Sequence, residues 1–170
     1  MRPLPNKRLK LAARVGVFDF SPVPCSLSAV RSTDLGPAMG MDLTSESRAT
    51  FRWNGSGWTF LLNLAQRYDW RPVGTQAPPT VENASWSGAY DSNEGQRVTA
   101  DDARALGVAL ERAVADSERT RKAEELALEI SVAVREQTGY ADYHVGVPES
   151  IWGYLEEFAD FCKKGGFNIE

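Results

Sequence analysis

The stretch Ala49–Tyr68, ATFRWNGSGWTFLLNLAQRY, decides the fold class. Ala49, Phe51 and Trp53 alternate with Thr50 and Arg52, the pattern of a half-buried strand. Asn54-Gly55-Ser56-Gly57 follows as a turn. Beyond it Trp58, Leu61, Leu62, Ala65 and Tyr68 recur at helical spacing, with Asn54 or Ser56 as the N-cap. Strand alternation passing directly into helical spacing implies strand and helix packed on one core.

Reading toward the C-terminus, helices dominate. Arg71–Thr80 holds three prolines and a glycine and reads as a loop. Thr99 opens a helix with capping-box spacing to Asp102, and Asp101 and Asp102 suit the positive end of its dipole. Ala103, Leu106, Leu110, Ala113 and Val114 form its apolar stripe. Asp116–Lys122 has no strongly apolar residue and reads as a solvated helix surface or a connection. A second helix is expected over Ala123–Gln137, with Leu126, Ile130, Ala133 and Val134 inward and Gly139 as its stop. A strand through Ile130, Val132 and Val134 is the alternative.

Tyr143, Val145 and Val147 alternate as a short strand, and Pro148-Glu149-Ser150 open the last helix. Its inner face is Ile151, Leu155, Phe158 and Cys162, with Tyr154 and Phe161 beside them. Lys163, Lys164 and Gly165-Gly166 end it, and Phe167 and Ile169 alternate as a terminal strand. The expected architecture is a helix-dominated α+β single domain with a small antiparallel sheet near the chain ends.

Reading toward the N-terminus, the order stops at Met39. Residues 1–38 carry six Lys/Arg against two Asp/Glu and are rich in Ser and Pro without periodicity. They are expected to form a disordered basic arm, either a mobile tail or residues that precede the natural start. Residues 39–170 carry thirteen against twenty-one and hold all five tryptophans. They are expected to form a compact acidic domain.

That acidity excludes general nucleic-acid binding, which needs Lys and Arg to neutralise phosphates. It fits a basic protein partner. No stretch approaches the ~18 apolar residues of a membrane span. The apolar run at 11–30 is broken by Asp19, Pro22 and Pro24, short of the ~7–15-residue core of a signal peptide. Cys25 and Cys162 share no metal or disulfide spacing and read as reduced thiols. A cytoplasmic location is expected.

The candidate site is Trp86–Asp102, WSGAYDSNEGQRVTADD, where two aromatics, six acids or amides and two glycines share one loop. Trp86, Tyr90, Asp91, Asn93, Glu94 and Gln96 are its partner- or ligand-binding candidates. Counted from Asp91, the loop fails the calcium register. Gly95 and Gln96 stand at positions five and six, and Asp102 replaces the bidentate Glu. No metal and no cofactor is expected. Asp91 and Asn93 suit Asx turns, and the aromatics suit plugging the loop onto the core. His144, the single histidine, has no nucleophile beside it in sequence, and Cys162 falls on an apolar helix face. No catalytic residues are assigned.

Met39-Gly40-Met41-Asp42, Phe51-Arg52 and the Trp58 helix resemble the opening of an uncharacterised family of small bacterial proteins. Tyr90, Asn93, Gly95, Asp102-Ala103 and Leu106 resemble its middle. Phe158-Ala159-Asp160-Phe161 and Gly165-Gly166-Phe167 resemble its ending. The resemblance covers most of 39–170, implies a domain start at Met39, and implies no activity. The chain departs from it at about 116–146, which is longer and more helical.

The expectation is a non-catalytic protein-interaction module, of which an immunity- or antitoxin-like inhibitor is one instance. The alternative is a small-molecule-binding domain or minor hydrolase using the 86–102 loop.

Overall fold

The computed structural model describes residues 40–170. The basic arm at 1–38, Met39 and Cys25 lie outside the described residues. Two strands open the chain: β1 (Gly40–Ser45) and β2 (Thr50–Asn54). Helix α1 (Gly55–Arg67) follows at once. A long irregular segment leads to β3 (Gln96–Val98) and α2 (Ala100–Ala115). Then come α3 (Arg119–Thr138), α4 (Ile151–Lys163) and β4 (Phe167–Ile169).

The four strands form one antiparallel sheet in the order β2-β1-β4-β3. First and last strands are therefore paired at its centre, and the α+β expectation holds. The pleat sorts the residues by face. Met41, Leu43, Trp53, Val98, Phe167 and Ile169 are buried, while Asp42, Thr50, Arg52 and Arg97 are exposed. Helix α4 covers the inner face through aromatic contacts. Phe158 meets Phe51 at 5.0 Å, Trp53 at 5.6 Å and Phe167 at 6.1 Å between ring centroids. Each such pair adds about 0.5–1.5 kcal/mol beyond burial.

Several elements differ from the sequence reading. The partner strand β1 was not read, although Met41, Leu43 and Ser45 are buried in alternation. Asn54, not Ser56, caps α1, its Oδ1 accepting the Gly57 N–H at 2.6 Å. Helix α3 begins at Arg119, ahead of the expected Ala123. The charged first turn is solvated on one side, with Arg121 paired to Glu118 and Glu125. Gly139, in the left-handed region at φ 76°, ends α3 as expected.

Ala133 faces solvent, and Ser131 is buried in α3 instead. The Ser131 hydroxyl donates to the Ala127 carbonyl and accepts the Val145 N–H at 2.9 Å. That bond also explains why 143–147 forms no strand: its buried backbone donor is satisfied by a helix side chain rather than a ladder.

Candidate functional site

The first part of the candidate loop, residues 86–95, lies within a larger lobe, residues 71–95, that joins α1 to β3, and the rest forms β3 and the first turn of α2. Backbone groups and three aromatic side chains pin this lobe to the core. The Trp58 indole N–H donates to the Tyr90 carbonyl at 2.7 Å. The Tyr90 hydroxyl accepts the Gly74 N–H at 3.1 Å and donates to one carboxylate oxygen of Asp102. Trp70 donates to the other oxygen at 3.0 Å, and its ring meets Tyr90 edge-on at 5.3 Å.

Asp102 is only 3% exposed. Two side-chain donors and the positive end of α2 offset the cost of burying its charge. Burial, then the bond to Asp102, pushes the Tyr90 hydroxyl well above the usual tyrosine range. Thr99 caps α2 as expected, accepting the Asp102 N–H at 3.3 Å. The reciprocal half of the capping box is absent, because the Asp102 carboxylate is turned to Trp70 and Tyr90 instead.

The outer half of the lobe folds back on itself. Thr75 donates from its N–H to the Gly88 carbonyl at 3.1 Å and from its hydroxyl to the Ala89 carbonyl at 2.7 Å. Trp86 donates to the Thr75 carbonyl at 3.0 Å. Gln76 exchanges backbone bonds of 2.8 and 3.1 Å with Arg97 and so extends the β3 edge by one residue. Gly74 and Gly88 both have positive φ, and a Cβ on Gly88 would lie 3.3 Å from the Gly74 Cα. Only glycine suits that crossing. Between the crossed segments runs an open groove of about 700 Å³, walled by Val73, Gly74, Gln76, Asn83 and Trp86 among others.

The predicted site residues separate into two sets. Gln96 is fully buried and serves the loop itself, its Oε1 accepting the Glu94 N–H at 2.9 Å and its amide nitrogen donating to Ser92. Tyr90 is half-buried and committed to Asp102. Neither Tyr90, Asn93, Glu94 nor Gln96 lines the groove. Asp91 and Glu94 are exposed, Asn93 is half-buried, and Trp86 reaches the groove while half-buried.

Sequence reasoning missed Val73, which is 75% exposed beside Trp86 on the groove wall. It also reads Asp102 as a capping-box and helix-dipole residue and not as the acceptor of Trp70 and Tyr90. The signal available was the presence of Trp70 and Tyr90, polar aromatics that each need an acceptor once packed against the core.

Charge is concentrated here too. Residues 69–102 hold six Asp/Glu and two Arg. Arg97 pairs with Glu46, and Arg71 donates to the carbonyls of Gln66 and Trp70. Asp69 and Asp101 pair with Arg112 and Arg104. Glu82, Asp91 and Glu94 form no ion pair among the described residues.

Other chemistries find little support in the geometry. Among the described residues no three His, Cys, Asp or Glu cluster for a metal. Cys162 is fully buried, and burial pushes its thiol up, whereas His144 is exposed in the loop after α3. No described helix is long and apolar enough to cross a membrane. Comparison with known proteins gives no match: no family model, curated protein or solved structure corresponds to this chain.

Proposed function

We propose that residues 40–170 act as a non-catalytic binding module that docks a basic protein partner on the 71–95 lobe. The observation that carries this reading is the placement of three unpaired carboxylates, Glu82, Asp91 and Glu94, on a pinned lobe that also displays Val73 and Trp86. An aromatic and an aliphatic anchor on a preorganised wall are the usual centre of an interface. Carboxylates around them steer a basic partner and select against acidic ones. An inhibitor of the immunity or antitoxin kind is one instance of such a module.

Affinity capture from the source cells in gentle salt tests the proposal. A stoichiometric basic partner that is released by rising salt and lost on Val73→Asp supports it. Val73 is exposed, so this substitution leaves the core intact.

A further inference from the structure

The groove between the crossed segments of the 71–95 lobe combines a fixed indole with side-chain amides that the fold leaves unused. We infer that this groove takes an arginine side chain of the docking partner, so that the lobe selects arginine over lysine. The inference rests on the docking reading and names the group that the partner inserts.

Trp86 supplies the aromatic wall. Its indole N–H donates to the carbonyl and to the hydroxyl of Thr75, each at 3.0 Å, and Thr75 is itself buried. The polar tip of the indole is therefore satisfied, and the ring is held in place before any partner arrives. What the half-buried ring adds to the groove is π surface and no free donor. A planar guanidinium stacks on such a ring, whereas a lysine ammonium is a compact and more strongly hydrated charge. Val73, 75% exposed on the same wall, gives the aliphatic stem of the arginine an apolar contact.

Gln76 and Asn83 supply acceptors. Both line the groove and are exposed, and their side-chain amides form no hydrogen bond among the described residues. A guanidinium carries five N–H donors in a fixed fork and can use two such acceptors while it stacks. At about 700 Å³ the groove holds a long side chain together with the backbone that carries it.

Charge favours the same occupant. No Lys, Arg or His lines the groove, and Arg71 and Arg97 are engaged elsewhere. The exposed Glu82 immediately precedes Asn83. A cation entering here meets no like charge on the wall and an excess of carboxylates around it.

Two blocked heptapeptides, identical but for arginine or lysine at two positions, test this when titrated into the ¹⁵N-labelled full chain. The arginine peptide should bind saturably, at least about fivefold more tightly than the lysine peptide, and should move the Trp86 indole resonance. Trp86→Leu and the double variant Gln76→Ala, Asn83→Ala should each bring the arginine peptide down to the affinity of the lysine peptide. Gln76 and Asn83 are exposed, so the double variant folds even if Trp86→Leu loosens the lobe. Equal affinity for the two peptides overturns the inference. So does an arginine peptide that has not saturated by about 10 mM, an unmoved Trp86 resonance, or an undiminished arginine preference in the double variant. Equal peptide binding beside a captured basic partner removes the arginine inference and leaves the docking proposal. Failure to capture any partner removes the docking proposal, and the peptides still decide what the groove takes.

Discussion

The Tyr90 hydroxyl donates to the buried carboxylate of Asp102, twelve residues away in sequence, while Trp70 holds the other oxygen of the same group. One helix residue thus fastens both ends of the acidic lobe. Tyr90→Phe removes a donor from a buried charge and should cost about 1.5–3 kcal/mol. Asp102→Ala strands two buried donors and should cost about 3–5 kcal/mol. Urea unfolding checks both: the midpoint should fall with an unchanged slope. Midpoints within error of wild type would refute the anchoring role.

The anchor explains what sequence made legible and what it did not. The loop's richness was visible, and so was its helix cap at Thr99. The partner of Asp102 was not, because Trp70 approaches from across a 32-residue gap. Alternation revealed β2 and β4, whereas β1 combines Met41 and Leu43 with Ser45, a polar residue at its third buried position. Ser45 is tolerated there because its hydroxyl accepts the Ala49 N–H at 3.0 Å and pairs with Ser47. The helical stripes are legible because their periodicity is local. Ala133 was misplaced because the true inner face of α3 turns toward Ser131 and Ala127.

Asp116, at the end of α2, accepts from Lys122 at 2.6 Å, from the Glu118 N–H at 2.8 Å and from the Tyr68 hydroxyl at 2.7 Å. These donors, Lys122 foremost, hold its carboxyl well below the usual carboxylate range. A depressed folded-state value means the stabilisation is present above the unfolded value of about 3.9 and lost as pH falls below it. Wild type should therefore lose urea resistance below about pH 4 more steeply than Asp116→Asn, and the two should converge at the lowest pH. Parallel curves would show that the cluster does not favour ionised Asp116.

Two helical glycines make opposite predictions. A Cβ on Gly107 of α2 would lie 2.9 Å from the Ala159 carbonyl and 3.2 Å from Cys162 in α4. Gly107→Ala should destabilise by about 1–3 kcal/mol through overpacking, despite its better helix propensity. A Cβ on Gly153 meets nothing within 4 Å. Gly153→Ala should stabilise by about 0.5–1 kcal/mol. Thermal melts of the two variants should move in opposite directions.

Cys162 is sealed between α2 and α4, with its thiol pushed up by burial. In a Cys25→Ser background, a thiol reagent should react at the rate of global unfolding and not faster. Rapid stoichiometric labelling of the folded protein would contradict the burial.

The most direct test of the docking proposal is captured-partner affinity for wild type against the triple variant Glu82→Lys, Asp91→Lys, Glu94→Lys. All three side chains are exposed and unpaired, so the fold should persist. The account predicts a stoichiometric basic partner whose binding falls at least about tenfold in the triple variant and weakens with salt. No stoichiometric partner, or one retained undiminished by the charge-reversed lobe, would contradict it.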